Sequence, residues 1–172
     1  MPSAPHAPHA LVTGGGRGIG RAIAAALARQ GMTVTVIGRQ RAALDETVAA
    51  GKAHVADVAD VADAASITAA IARAAARQPI DILIANAGAA ESAPFAKSDA
   101  ALFARMMDIN FMGVVHSIQA ALPSMKTQPY GRIIAVPLAA KGASYAGRAE
   151  TFVKGKPLNV TCLLYTSDAA DE

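Results

Sequence analysis

The segment Thr13-Gly14-Gly15-Gly16-Arg17-Gly18-Ile19-Gly20 has the composition of a loop that binds phosphate groups. Glycines allow a tight turn and let the backbone approach an anion, and the free N–H groups at the start of a following helix attract it. The spacing Gly14-x3-Gly18-x-Gly20 differs from G-x-G-x-x-G, and a tight turn needs glycine for purely structural reasons too. The segment therefore predicts a diphosphate site, and this prediction depends on further nucleotide-binding motifs elsewhere in the sequence.

Three further features could contact a nucleotide. Asp60 follows the third predicted strand, where its carboxylate could accept from an adenine amino group while the N–H of Val61 reaches the ring edge. Asn86-Ala87-Gly88 ends the fourth predicted strand, and Asn110 lies inside a long predicted helix. Separately, these residues have simpler explanations as a helix cap, a turn and a solvent-facing side chain. Their occurrence together at these spacings favours a nucleotide site.

The end of the second predicted strand bears on which nucleotide would bind. It continues as Gly38-Arg39-Gln40-Arg41 and lacks the acidic residue that usually bonds the ribose hydroxyls of NAD. Arg39 and Arg17 could instead pair with a 2′-phosphate, the alternative being that both are solvated arginines at helix starts. We therefore predict NADP(H) in preference to NAD(H).

Composition limits the other classes of function. Of 172 residues, 53% are hydrophobic and 17% charged, which suits one globular domain. The net charge of +3 is dispersed, and no apolar run reaches the roughly 20 residues of a membrane span, so we expect neither a nucleic-acid nor a membrane partner. The single cysteine predicts that there is no disulfide, and the histidines lack the spacing of metal ligands, so we expect no metal site. With no secretion signal, we expect a cytoplasmic location.

Apolar strands alternate with amphipathic helices along most of the chain. This pattern predicts an α/β fold with a doubly wound parallel sheet in the order 3-2-1-4-5 and helices on both faces. A flexible arm is predicted at 1–8 and a single nucleotide-binding domain at 9–136. The predicted strands span 10–13, 33–37, 54–57, 80–84 and 132–136, and the predicted helices 17–30, 41–50, 63–78 and 98–125.

These motifs resemble the short-chain dehydrogenase/reductase family over about residues 8–136, and most nearly its 3-oxoacyl-carrier-protein and 3-hydroxyacyl-CoA reductases. The resemblance implies a Rossmann-type domain in which the glycine segment holds the cofactor phosphates. It also implies that the Asn86-Ala87-Gly88 turn lies against the cofactor and that Asn110 is a catalytic residue completing a proton relay. The parent protein would then transfer hydride between NADP(H) and a ketone or secondary alcohol, as a homo-oligomer.

The rest of that family's catalytic machinery has no match in the sequence. Its serine, tyrosine and lysine would fall on Leu138, Thr151 and Gly155, and no Tyr-x-x-x-Lys occurs anywhere in the chain. Ser144, Tyr145 and Lys141 are nearby, but the lysine precedes the tyrosine and the segment lies between glycines. We therefore expect the chain to be catalytically inactive. A non-catalytic NADP(H)-binding module or sensor is the alternative function.

The alternating pattern fails after residue 137. No sixth strand is predicted, so the sheet would stop before its last strands and leave the fifth strand as an unpaired edge. Residues 162–172 resemble a translated transposase adapter from DNA sequencing, a natural acidic tail being the alternative, and 137–161 could be junction or frameshifted sequence. The expectation is a truncated fragment with a non-native tail.

Overall fold

A computed structural model of the chain describes residues 7–91, 95–136 and 150–152. In these ranges the strands are β1 (His9–Thr13), β2 (Thr33–Gly38), β3 (Val55–Val58), β4 (Ile82–Ala85), β5 (Gly131–Ala135) and β6 (Glu150–Phe152). The helices are α1 (Gly18–Arg29), α2 (Arg41–Ala49), α3 (Ala64–Arg77), α4 (Ala100–Met107) and α5 (Gly113–Met125). A single 3₁₀ turn, Phe95–Lys97, precedes α4, and a π-helical segment, Asp108–Met112, joins α4 to α5.

The first five strands form a parallel sheet in the predicted order β3-β2-β1-β4-β5. Strand β1 is central, with Ala10 paired to Val34 of β2 on one side and to Ile82 of β4 on the other. The chain order reverses between β1 and β4, so the loops after these two strands diverge to opposite faces. Crevices that bind ligands in sheets of this kind form at that reversal.

The described residues also include a strand that sequence patterns did not predict. Strand β6 pairs antiparallel with β5, Gly131 opposite Phe152 and Ile133 opposite Glu150, so the expectation of an unpaired edge at β5 is wrong. Three residues are too few to show alternation, whereas backbone pairing with a neighbouring strand satisfies β5 irrespective of side-chain pattern. Several positions named in the sequence analysis lie outside the described residues: Leu138, Lys141, Ser144, Tyr145, Gly155 and the segment 162–172.

Side chains of β1 alternate between two apolar cores, one on each face of the sheet. Leu11 packs with α3 and α5 residues such as Ile71 and Ile118. Ala10 and Val12 on either side of it pack on the opposite face, with residues of α1 and α2. Successive strand residues point to opposite faces, so a strand buried on both sides is apolar throughout. Helices on both faces were predicted, and this arrangement confirms them.

Helix α3 begins where its capping residue predicts. The carboxylate of Asp63 accepts from the backbone N–H groups of Ala65 and Ser66, at 2.9 and 3.2 Å. These are two of the donors that have no partner within a helix, so the cap stabilises its first turn. The helix ends at Arg77, one residue before the predicted end.

The long helix predicted over residues 98–125 is interrupted in the structure. The π-helical segment Asp108–Met112 lies between α4 and α5 and contains Asn110. Single π turns insert one extra residue per turn and are frequent at functional sites. Helix-forming composition continues through such a turn, which is why the sequence predicted one helix. Among the described residues, no helix is both long enough and apolar enough to cross a membrane.

Candidate functional site

A cavity of about 440 Å³ opens at the carboxyl ends of the central strands. It is bordered by the loops after β1, β2, β3 and β4. The structure brings together here every residue that the sequence nominated for binding a cofactor: Gly14, Arg17, Gly18, Ile19, Gly20, Arg39, Asp60, Val61, Asn86, Ala87 and Gly88. Six lining residues were not nominated: Gly16, Gln40, Ala43, Leu44, Ala59 and Ile109.

Two glycines, one in the loop after β1 and one in the first turn of α1, are needed because neighbouring backbone lies too close for a side chain. A Cβ on Gly14 would stand 2.9 Å from the Cα of Ala87 and from Nδ2 of Asn86. A Cβ on Gly20 would stand 2.5 Å from the same Nδ2 and nearer still to the carbonyl oxygen of Gly14. The loop, the start of α1 and the turn after β4 are thus in backbone contact. Gly14 also has a φ of 68°, in the region that favours glycine.

The N-terminus of α1 is directed at the cavity and has no side-chain cap. Arg17 occupies the N-cap position in an extended conformation and makes no capping hydrogen bond. The first helical residues, Gly18, Ile19 and Gly20, all line the cavity. Uncapped N–H groups and the positive end of the helix dipole favour an anion at this position.

The loop after β1 and the turn after β4 are joined through Thr13, which sequence analysis did not nominate. Its hydroxyl oxygen accepts from the N–H groups of Asn86 and Ala87, both at 3.0 Å. In return, Nδ2 of Asn86 donates to the carbonyl of Thr13 at 3.1 Å. A hydroxyl residue directly before a glycine segment was the available signal, but its partner is more than 70 residues away along the chain.

Two arginines lie at the end of the cavity formed by the β2 and β3 loops. Arg39 is 63% exposed, and its Nη1 is 3.9 Å from Oδ2 of Asp60. Nη2 of Arg17 donates to Oε1 of Gln40 at 3.0 Å. The other carboxylate oxygen of Asp60 accepts from the N–H of Ala62, so this aspartate also closes a turn. A bound anion at this end would face two guanidinium groups.

Asn110 is half-buried and does not line the cavity, although its neighbour Ile109 does. Its carboxamide bonds both backbone groups of Ala89: Oδ1 accepts from the N–H at 3.0 Å and Nδ2 donates to the carbonyl at 2.9 Å. Nδ2 also donates to the carbonyl of Met106. The side chain therefore fastens the segment that follows Gly88 to the π turn, and is not a solvent-facing helix residue. Its catalytic role stays a prediction.

Helix α5 packs against the loop after β3 and contacts Val61. A Cβ on Gly113 would stand 2.7 Å from Cγ2 of Val61, so only glycine allows this approach. Nδ1 of His116 donates to the carbonyl of Val61 at 3.1 Å, since a carbonyl oxygen can only accept. These contacts hold the backbone of Val61 at the cavity.

Within residues 7–91, 95–136 and 150–152, no group of three histidine, cysteine or acidic side chains could hold a metal.

Comparisons with known proteins point to one family. The family model described as short chain dehydrogenase matches residues 8–149. An uncharacterized oxidoreductase of Staphylococcus saprophyticus is 34% identical over 135 residues, which cover 73% of this chain and 56% of that protein.

Solved structures agree with the sequence relatives. An actinorhodin polyketide ketoreductase variant with NADPH superposes with a TM-score of 0.71 at 29% identity, covering 75% of this chain and 52% of the other. A 3-oxoacyl-(acyl-carrier-protein) reductase from Agrobacterium tumefaciens with NADP bound gives a TM-score of 0.65 at 34% identity, covering 74% and 51%. The chain thus spans about half the length of these relatives.

Proposed function

Because this chain belongs to the short-chain dehydrogenase family, we propose that its cavity binds NADP(H) in preference to NAD(H). The reaction that such a site serves is hydride transfer between the nicotinamide and a ketone or secondary alcohol. The chain itself would bind the dinucleotide without reducing a carbonyl.

One observation carries the proposal. The glycine loop, the uncapped start of α1 and the Asn86–Gly88 turn meet so closely that a Cβ on Gly14 or Gly20 would collide with backbone. At this place the uncapped N-terminus of α1 lines the cavity, and the free N–H groups of a helix N-terminus fit a diphosphate. The residues present therefore fit a dinucleotide, whose diphosphate would lie against Gly18, Ile19 and Gly20.

The other end of the cavity fits the adenosine portion. Asp60 and the N–H of Val61 could recognise the adenine ring, as predicted from the sequence. The guanidinium groups of Arg17 and Arg39 could pair with a 2′-phosphate, and charge-assisted bonds of this type are about twice as strong as neutral ones. The NADPH and NADP bound to the two ketoreductase neighbours support this cofactor preference.

Binding alone would not give turnover. When bound, the dinucleotide would supply or accept hydride at the nicotinamide, and the protein must provide the proton for the developing alkoxide. The sequence contains no Tyr-x-x-x-Lys to provide it. Asn110 holds Ala89 and Met106 through its carboxamide, which has no acidic proton at neutral pH. These features favour a non-catalytic NADP(H)-binding module or sensor as the second candidate function.

Fluorescence titration of the full chain with NADPH and NADH tests the proposal. We expect saturable NADPH binding, weaker NADH binding and no consumption of NADPH with a panel of ketones. Saturation by neither coenzyme in a folded sample would refute the binding function. Ketone-dependent oxidation of NADPH would refute the proposed inactivity and exclude the purely binding module.

A further inference from the structure

Helix α2 reaches the glycine loop through a threonine that no motif singles out. Thr47 is fully buried, and its Oγ1 lies 3.3 Å from the carbonyl oxygen of Gly15 and 3.3 Å from that of Gly16. It also lies 3.0 Å from the carbonyl of Ala43, one helical turn earlier. Carbonyl oxygens only accept, so the hydroxyl is the donor in all three contacts and shares its single hydrogen among them.

The three acceptors do not need that hydrogen equally. The Ala43 carbonyl is inside α2 and already receives a backbone N–H from one turn later. Gly15 and Gly16 are buried residues of a loop, and no backbone N–H in the part of the chain that the structure describes donates to their carbonyls. Buried carbonyl groups are almost always paired, so the Thr47 hydroxyl supplies the hydrogen-bond donor that these two carbonyls otherwise lack.

The direction of these carbonyls decides the direction of the N–H groups beside them. In a trans peptide the C=O of one residue and the N–H of the next point in opposite directions. With the carbonyls of Gly15 and Gly16 turned toward Thr47, the N–H groups of Gly16 and Arg17 turn away from it. Gly16 and Arg17 line the cavity, and Thr47 is buried behind them.

We propose that Thr47 is a positioning residue that holds the glycine loop with its N–H groups facing the dinucleotide diphosphate. This inference rests on the proposed binding function and extends it to a residue outside the cavity. A neighbouring contact joins α2 to α1, since Nη2 of Arg21 donates to the carbonyl of Glu46 at 3.2 Å. Helix α2 thereby holds both the loop and the helix that follows it.

Two substitutions separate the hydroxyl from the shape of the side chain. T47V keeps the volume and removes the donor, whereas T47S keeps the donor. We expect T47V to weaken NADPH binding on the order of tenfold, because the loop N–H groups would lose their fixed orientation toward the diphosphate. We expect T47S to bind NADPH within about twofold of the unsubstituted chain. T35V is the matched control, because Thr35 is also a buried hydroxyl but bonds His9 and does not contact the loop.

Backbone hydrogen exchange gives a readout that needs no coenzyme. The amides of residues 16–20 should exchange faster in T47V than in T47S or T35V. If the unsubstituted chain binds no NADPH, the proposed function fails, while the exchange comparison still decides the role of Thr47. Equal NADPH affinity and equal loop exchange in T47V and T47S would overturn the inference, as would an equal loss of affinity in T35V.

Discussion

Arg39 and Asp60 pair in the wall of the cavity, with Nη1 of the arginine 3.9 Å from Oδ2 of the aspartate. Both side chains are substantially exposed, and surface pairs of this kind contribute at most about 1 kcal/mol to stability. The pair can therefore open at little cost when an anion competes for the arginine. Without Arg39, the charge of Asp60 would face a 2′-phosphate with only Arg17 left to offset it.

R39A should therefore change coenzyme preference more than stability. We expect NADPH affinity to fall by about tenfold, because a charge-assisted contact is lost, and NADH affinity to change by less than about twofold. Titrations of both coenzymes measure this. R41A is the control, since Arg41 pairs with Asp45 and does not line the cavity. An equal loss of NADPH and NADH affinity in R39A would contradict the assignment.

G20A should remove coenzyme binding and lower stability together. The new Cβ would stand 2.5 Å from Nδ2 of Asn86, so the loop and the β4 turn must separate. We expect the free energy of unfolding to fall by about 2–3 kcal/mol, the upper range for overpacking. Chemical denaturation and NADPH titration check it.

G51A separates strain from collision. Gly51 has a φ of 66° but open space around its Cβ position, and it does not line the cavity. G51A should lower the free energy of unfolding by about 1–2 kcal/mol and leave coenzyme affinity unchanged. If G20A binds NADPH as G51A does, the close approach at Gly20 has no part in binding.

N110A should loosen the segment after Gly88. The substitution leaves both backbone groups of Ala89 without their partner, which we expect to cost about 1–3 kcal/mol. Denaturation and hydrogen exchange at the Ala89 amide measure the effect. N110D keeps the acceptor for the Ala89 N–H and should protect that amide better than N110A. Identical Ala89 exchange in the two variants would argue against this contact in solution.

Stability should decrease in mild acid because of His9. Burial lowers the pKa of this histidine below its ordinary 6.5. Nδ1 donates to the carbonyl of Gln78, and Nε2 accepts from the hydroxyl of Thr35, so a second ring proton has no acceptor without disrupting that bond. Asp81, which accepts from the backbone N–H of His9, favours the charged form, and Arg77 opposes it.

The sign follows from linkage. The unfolded chain binds the proton at 6.5 and the folded chain only at lower pH, so the contribution of His9 to stability is intact above 6.5 and is lost as pH falls below it. Urea denaturation at pH 7.5 and at successive steps downward measures this. H9N, which cannot titrate, should give a flatter profile over the same window. An unchanged slope in H9N would assign the acid sensitivity to other groups.

Local patterns were sufficient to predict the parallel sheet, its strand order, the Asp63 cap and eleven of the residues that line the cavity. Alternation, helical period and glycine at strand ends are properties of neighbouring residues, and the rules for parallel sheets then bring the strand ends to one edge. The same rules underlie the nomination of the glycine loop, Asp60 and the Asn86–Gly88 turn.

Contacts between distant residues depended on the tertiary structure. The hydroxyl of Thr47 behind the glycine loop, the pairing of Thr13 with the β4 turn, and the Asn110 bonds within a π turn join segments that are remote in sequence. A threonine or asparagine has the same local pattern wherever its hydrogen bonds go, so its partner appears only when the chain is packed. The unpredicted strand β6 has the same cause, because β5 selects its partner by backbone pairing.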